Sequence, residues 1–263
     1  MNKAITDYIL HLADNALILA QRNSEWCGHG PVLEQDIAIT NISLDLIGQA
    51  RSLYQYAAEV INDSHSSPTG GGGQDGATED TLAYHRDGRD FKNCLLAEQL
   101  NGDWAQTILR QFFFSTYQFY LYQRLQQSTD ATLAAIGEKS LKEVTYHVRW
   151  SSEWVIRLGD GTEESHDRLL NALDALWTFT GELFIPAAYE GEVAKAGIGV
   201  DVSTLQAEWM QRVNEVFEEA TITTPEMSAW MQTGGKEGIH TEQLGFILAE
   251  MQSMQRAYPG GEW

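Results

Sequence analysis

Glutamate and histidine three residues apart on a helix point at one metal ion, and this sequence contains two literal Glu-x-x-His matches. They are Glu163 with His166 and Glu237 with His240, and both lie in turn-rich, glycine-containing sequence. A carboxylate-bridged di-metal site in a helical bundle needs two such pairs inside long helices, and one further glutamate from each of two other helices. The two matches therefore do not predict such a site.

Two glutamates in the central apolar segments fail the same spacing rule. Asn101 stands three residues after Glu98, and Tyr146 three residues after Glu143. His147 follows Glu143 by four residues, a spacing that also places both side chains on one helix face. A hydrogen-bonded Glu–His pair is the usual outcome of that spacing, and a single-metal or distorted metal site is the alternative.

A polar row crosses the apolar segment that follows Pro31, because Asn41, Asp45 and Gln49 recur every four residues. The row either faces water, as in most amphipathic helices, or turns inward and is hydrogen-bonded. An inward Asp45 would need a partner, since an unpaired buried carboxylate is costly. The basic candidates are Arg51, Lys139, Lys142 and Arg149.

Other catalytic arrangements have little support in the sequence. It contains no Gly-x-Ser-x-Gly elbow, phosphate loop, dinucleotide fingerprint or His-Glu-x-x-His motif. Cys27 and His29 could act as nucleophile and base, but residues two apart seldom face each other. A thiol beside Trp26 is more often buried.

The elements that carry these residues are helices, because apolar residues recur at intervals of three and four between the five prolines. The segment 104–127 is apolar nearly all round, so its own bundle or another subunit must cover it. Glycines at 159–161 predict a left-handed cap after the fourth helix. The pattern predicts an all-α, long-helix bundle with extra C-terminal helices, over 5–21, 32–61, 104–127, 131–158, 166–185, 203–220 and 241–257.

The serine- and glycine-rich segment at about 62–80 predicts a mobile surface loop, because it cannot bury enough apolar surface to offset its ordering entropy. Two helices before it make a poor independent domain, so we expect one domain over residues 1–263. Two cysteines are too few for a disulfide framework, and the N-terminus lacks the order of a secretory signal. We therefore expect a cytoplasmic protein.

The chain has 17 Lys and Arg against 37 Asp and Glu, which gives a formal charge of −20. A surface of this sign repels phosphates, which argues against nucleic acid and anionic membranes as partners. The basic residues of the fourth predicted helix either pair with nearby glutamates or form a positive patch for an anionic ligand such as a CoA ester. They are Lys139, Lys142, Arg149 and Arg157.

Two blocks of sequence carry a family resemblance. The first is Glu-Trp-Cys-Gly-His-Gly-Pro at 25–31, continued by Leu33-Glu34, Asp36 and Asn-Ile-Ser-Leu-Asp-Leu-Ile-Gly-Gln-Ala-Arg at 41–51. The second, Thr-Gly-Gly-Lys-Glu-Gly-Ile-His-Thr-Glu at 233–242, continues through Leu-Ala-Glu-Met-Gln at 248–252 to Trp263. With them the whole chain resembles the non-catalytic, ferritin-like subunit of bacterial phenylacetyl-CoA monooxygenase (1,2-epoxidase) complexes, and the segment 64–76 looks like an insertion.

The resemblance implies a ferritin-like bundle that pairs with a related catalytic subunit and holds it in its active shape. That related subunit holds the di-iron centre and epoxidises the ring of phenylacetyl-CoA with oxygen and electrons from a reductase, and the complex also includes a further small subunit. The resemblance implies no catalytic, metal or cofactor residue in this chain, and the aromatic stretch 112–122 is the suspected partner contact. The residues expected in a polar core or interface are Trp26, His29, Asp45, Arg51, Glu98, Glu143, His147, Lys236, His240 and Glu242.

Two alternatives stay open at this point. The first is an autonomous di-iron oxygenase or oxidase with the unconventional ligands Asp45, Glu98, Glu143 and His147. The second is a helical adaptor unrelated to oxygenases.

Overall fold

A computed structural model describes residues 2–65, 76–226, 230–259 and 261. All regular secondary structure within these residues is helical, so the predicted all-α fold is confirmed. Short 3₁₀ turns join several of the α-helices. In chain order the α-helices are α1 (Asn2–Ser24), α2 (Leu33–His65), α3 (Glu79–Tyr84), α4 (Leu95–Glu98), α5 (Trp104–Leu125), α6 (Ala131–Gly159), α7 (Glu163–Leu176), α8 (Ala188–Lys195), α9 (Gln206–Glu219), α10 (Glu242–Met251) and α11 (Ser253–Ala257).

The four long helices form two closely packed pairs, α1 with α2 and α5 with α6, and α2 meets α6 along a sparser seam. The shorter helices α7 and α9 pack against α5 and α6, while α8 packs on α1. Aspartate side chains begin two of the long helices: Asp103 accepts a hydrogen bond from the backbone of α5, and Asp130 accepts two from α6. Such caps satisfy the free N–H groups of a first helical turn.

The aromatic helix α5 lies inside the protein. Phe112, Phe113 and Phe114 are fully buried, and the ring of Phe113 contacts those of Trp209 and Phe217. Burying each such ring stabilises the fold by about 2 kcal/mol. The chain's own helices therefore cover α5, and the expectation that 112–122 contacts a partner is wrong, because little of that stretch reaches the surface.

The fourth predicted helix ends at Gly159, as expected, but for a different reason. No left-handed residue caps it, since Asp160 follows with φ −91°. A Cβ on Gly159 would lie 2.3 Å from the carbonyl oxygen of Ala220, just beyond α9. Glycine is required there because the two chain segments approach closely.

Three other predicted boundaries are wrong. The predicted helix 166–185 stops at Leu176, and 3₁₀ turns over Trp177–Phe179 and Gly181–Phe184 follow it. The last predicted helix breaks at Gln252, whose side chain donates to the carbonyls of Ala83 and Arg86. The segment 62–80 begins and ends in helix, at His65 of α2 and at Glu79 of α3. Residues 66–75 of the predicted loop lie outside the described residues.

Candidate functional site: polar clusters of the bundle

Asp45 of α2 faces His147 of α6 and forms the first of two polar bridges across their seam. His147 Nε2 lies 3.0 Å from Asp45 Oδ2; the imidazole is fully buried, whereas 37% of the Asp45 side chain is exposed. The prediction of a basic partner for Asp45 is therefore wrong. The basic candidates contact glutamates instead: Arg51 with Glu79, Lys139 with Glu143, Lys142 with Glu138 and Arg149 with Glu153.

Gln49 and Glu143 form the second bridge, one helical turn along α2. Gln49 Nε2 donates to Glu143 Oε2 at 2.9 Å, and the hydroxyl of Tyr122 on α5 donates to Gln49 Oε1 at 3.2 Å. Burial raises the pKa of Tyr122, so its hydroxyl keeps the proton that it donates. We call the Asp45–His147 and Gln49–Glu143 contacts the α2–α6 bridges.

Three buried glutamates hold the C-terminal segment against the bundle. The first, Glu98 of α4, is fully buried and accepts four hydrogen bonds. Its Oε1 accepts from the backbone N–H and the hydroxyl of Thr241 at 2.7 and 2.8 Å. Its Oε2 accepts from Asn93 at 2.9 Å and from Nδ1 of His240 at 2.8 Å. A carboxylate has lone pairs enough to accept all four.

His240 completes this contact as an imidazolium. Its Nδ1 faces the Glu98 carboxylate and its Nε2 lies 2.9 Å from the carbonyl oxygen of Phe91, so both ring nitrogens face acceptors. Burial alone would lower the pKa of His240, but the hydrogen bond to Glu98 and the charge of Glu98 raise it overall. The pair is a buried, charge-assisted hydrogen bond.

The other two glutamates hold the residues just before His240. Glu182 accepts from the N–H of Gly234 at 2.8 Å, and Glu190 accepts from Nζ of Lys236 at 2.9 Å. The Lys236 and Glu190 side chains are 4% and 1% exposed, so this ion pair lies inside the protein. Burial raises the pKa of Glu182. We call the contacts of Glu98, Glu182 and Glu190 with 234–241 the C-terminal clasp.

The remaining residues singled out in the sequence lie away from these clusters. Trp26 packs edge-on against Trp104 and donates to Thr107. His29, Arg51 and Glu242 are exposed. The expected burial of Cys27 is wrong, since it is exposed while Cys94 is buried.

Sequence reasoning missed a third cluster, centred on Asp14 of α1. Its carboxylate accepts from the hydroxyl of Tyr54, from the guanidinium of Arg86 and from the N–H of Lys92. The available signal was an acidic residue within the apolar face of α1. Glu182 and Glu190 carried no comparable signal, because they stand in short, turn-rich segments.

Comparison with known proteins identifies the family of this chain and a similar protein. A family described as "Phenylacetic acid catabolic protein" matches residues 1–263. The chain belongs to this family. It is 46% identical over 259 residues to one subunit of the 1,2-phenylacetyl-CoA epoxidase of Escherichia coli (strain K12), over 98% of this chain and 99% of that protein. The family resemblance seen in the sequence is confirmed.

The di-iron centre that the resemblance places in a related subunit provides a chemical test of this chain's donors. Such a centre takes two glutamates and two Glu-x-x-His pairs from four helices. The α2–α6 bridges offer two carboxylates and one histidine, and a donor from the facing helix already occupies each carboxylate. Within the described ranges, no group of three or more His, Cys, Asp and Glu side chains could hold a metal ion. The residues present do not fit a di-iron centre.

Three buried carboxylates of the polar clusters are matched by a basic residue of the chain, while Glu182 accepts from the backbone N–H groups of Leu95 and Gly234. Asp14 is matched by Arg86, Glu190 by Lys236 and Glu98 by His240. Each of these pairs joins elements that are distant in the sequence. In the part of the chain that the structure describes, no helix is long and apolar enough to cross a membrane.

Proposed function

We propose that this chain is the non-catalytic, structural subunit of a multicomponent phenylacetyl-CoA oxygenase that epoxidises the aromatic ring in phenylacetate catabolism. It pairs with a related ferritin-like subunit that holds the di-iron centre, and it supports that subunit in its active shape. A reductase and a further small subunit complete this cytoplasmic assembly. The α2–α6 bridges carry the proposal, because they join both carboxylates of the seam to donors of the same chain.

The charges of α6 favour a structural subunit over a subunit that binds CoA esters. A CoA ester is polyanionic and needs unpaired cations. Lys142 lies 3.1 Å from Glu138, and Arg149 lies 3.5 Å from Glu153. Lys139 lies 4.0 Å from Glu143, so three of the four basic residues of the suggested patch have a glutamate neighbour, on a chain whose formal charge is −20.

The C-terminal clasp supports the same role. It ties the segment 234–241 to α4, to α8 and to the 3₁₀ turn that contains Glu182, through glutamates that are at most 2% exposed. Removing one partner of a buried ion pair destabilises a protein by about 3–5 kcal/mol, because the remaining charge is left buried and unpaired. A fixed shape is what a subunit that supports another one has to provide.

One observation favours the autonomous di-iron enzyme as the second candidate. Nδ1 of His147 is buried and has no hydrogen-bond partner among the described residues. A ring nitrogen with a free lone pair is a ligand that iron accepts.

The experiment that separates the candidates is purification from iron-replete cells, with the chain expressed alone and together with the di-iron catalytic subunit of the complex. We expect the lone chain to hold no stoichiometric iron and to consume no oxygen. We expect the pair to co-purify with iron, and to show epoxidase activity once the reductase and its electron donor are added. Stoichiometric iron with oxygen consumption by the lone chain would establish the second candidate. Failure of the two subunits to co-purify would point to the unrelated adaptor.

A further inference from the structure

The outer side of α2 leaves large apolar side chains in water. Leu33 is 71% exposed and Leu44 59%, and Ile37 and Ile47 are exposed as well. They recur at intervals of four, seven and three residues, which places them on one helical stripe. Thr40 and Asn41 interrupt the stripe between Ile37 and Leu44. Exposed apolar residues grouped on one side of a helix mark a protein-interaction surface. We call these four residues together with Gly48 the α2 outer face.

Gly48 leaves room on this face for the close approach of another helix. It lies in the middle of α2, where glycine is less favourable than alanine. A Cβ built on Gly48 would meet nothing within 4 Å, so no contact within the described chain requires a glycine there. Helices that cross closely do require small residues at the crossing point, because a side chain would hold the backbones apart.

The charges beside the α2 outer face are mixed, because Glu34, Asp36 and Asp45 of α2 stand between its apolar residues in the sequence. The neighbouring helix α6 carries four basic side chains against three acidic ones, on a chain whose formal charge is −20. Tyr146 of α6 is 41% exposed and precedes His147, which contacts Asp45 of α2. An apolar centre on α2 with a polar, aromatic edge on α6 has the anatomy of a protein–protein interface.

The dimensions of the face argue for a folded partner. From Leu33 to Ile47 the stripe is about 21 Å long, at 1.5 Å per residue. A stable interface buries about 800 Å² on each side. A stripe of this length that is only one helix wide has a smaller area. The partner must therefore extend over α6 as well, as a bundle does and a single peptide helix does not.

We infer that the α2 outer face is the surface on which the catalytic subunit of the complex docks, with a helix of that subunit crossing at Gly48. Leu44 and Ile47 lie at the apolar centre of this contact, and Tyr146 lies at its edge. This inference rests on the proposed function, because it names the place at which the proposed partner binds.

The test measures the affinity of the purified chain for the purified catalytic subunit by isothermal titration calorimetry. The double variant Leu44→Glu/Ile47→Glu should bind roughly 100-fold more weakly, because it places unpaired charges in a desolvated apolar centre. Leu170→Glu is the matched control, since Leu170 of α7 is also exposed. It should leave the affinity unchanged.

A second variant gives a signature that a folding defect cannot mimic. Gly48→Leu should raise the melting temperature of the isolated chain, since leucine favours a helix, and should at the same time weaken binding at least tenfold. Gly191→Leu on α8 is its control, because a Cβ there also meets nothing within 4 Å. The control should raise the melting temperature and leave the affinity unchanged.

Each outcome separates this inference from the proposed function. If the unaltered chain does not bind the catalytic subunit, the proposed function itself is wrong. If it binds but the α2 variants bind equally well, the docking surface lies elsewhere and the proposed function stands. A homodimer of the isolated chain that the same variants dissociate would assign the α2 outer face to a second copy of this chain, and would overturn the inference.

Discussion

Replacing Glu98 with glutamine tests the reasoning about the C-terminal clasp most directly. Glu98 accepts two hydrogen bonds on each oxygen, from Thr241 on one side and from Asn93 and His240 on the other. A glutamine amide turns one of these oxygens into a donor. Whichever way the amide is oriented, two donors then face an N–H₂ group.

The size of the effect follows from this count. With the N–H₂ group towards Thr241, the hydroxyl of Thr241 can rotate to accept from it, but the N–H of Thr241 is left without an acceptor. With the N–H₂ group on the other side, it faces Asn93 and His240 instead. The His240 imidazolium also loses its counter-charge. Two lost charge-assisted bonds at about 1.5–3 kcal/mol each, less the partial recovery by the hydroxyl, give a destabilisation of about 3 kcal/mol.

Urea unfolding of the isolated chain, followed by circular dichroism, measures this loss. The control is Glu242→Gln, because Glu242 is exposed in the first turn of α10 and contributes about 0.3–1 kcal/mol through the helix dipole. Amide exchange in α10 should also accelerate in Glu98→Gln, since Thr241 is its N-cap. A difference of less than about 1 kcal/mol between the variant and its control would refute the reasoning.

The same contact predicts a pH dependence with a definite sign. The pKa of His240 is raised in the folded chain, so its contribution to stability is complete below the unfolded value of about 6.5 and is lost as the pH rises through the folded pKa. His240→Asn should therefore destabilise the chain more at about pH 5.5 than at about pH 9. An equal effect at both pH values would contradict an imidazolium at this position.

Three further predictions concern single residues outside the clasp. Glu143→Ala should leave the iron content of the whole complex unaltered, measured by metal analysis, because the iron is assigned to the partner; loss of iron would contradict that assignment. Gly159→Ala should lower the unfolding free energy by about 2 kcal/mol, measured in urea, because its Cβ would meet the Ala220 carbonyl at 2.3 Å. A thiol reagent should modify Cys27 in the native chain and spare Cys94, whose thiol is buried with a raised pKa; native labelling of both would show that the Cys94 site opens readily.

The long helices were predictable because local rules determine them. The segment 5–21 appears as α1 and 131–158 as α6, each with the apolar period that the sequence shows. The end of the helix 166–185 was mispredicted because its apolar residues continue past Leu176 into 3₁₀ turns. Tertiary contacts decide that change: a Cβ on Gly181 would lie 2.6 Å from the side chain of Met231.

The clasp was not predictable, because its partners are distant in sequence. Glu98 and His240 are separated by 142 positions. No sequence pattern around either residue indicates that the other is its partner. The Glu-x-x-His rule singled out His240 because Glu237 stands three residues before it, and Glu237 is not its partner. His240 does bind a glutamate, but that glutamate belongs to α4.

The polar row of α2 shows why the sequence supported two opposite interpretations. Residues four apart advance about 40° around a helix, so a row with this spacing slowly changes the side that it faces. Asn41 is exposed, Asp45 is partly exposed and Gln49 is 2% exposed. Outward and inward positions are therefore both present in one row, and only the placement of α6 decides where each residue falls.

The total charge of −20 does not decide what can approach the α2 outer face. Salt confines electrostatic interactions to about 8 Å at physiological ionic strength, so a partner senses the charges beside the contact and not the total. Those of α6 are nearly balanced, and α2 adds Glu34, Asp36 and Asp45, while the acidic side chains of α7 and α9 lie on the helices that cover α5. The apolar side chains of α2 and the space above Gly48 then determine the affinity. Raising the salt concentration should consequently change the affinity for the catalytic subunit less than a Cβ at Gly48 does.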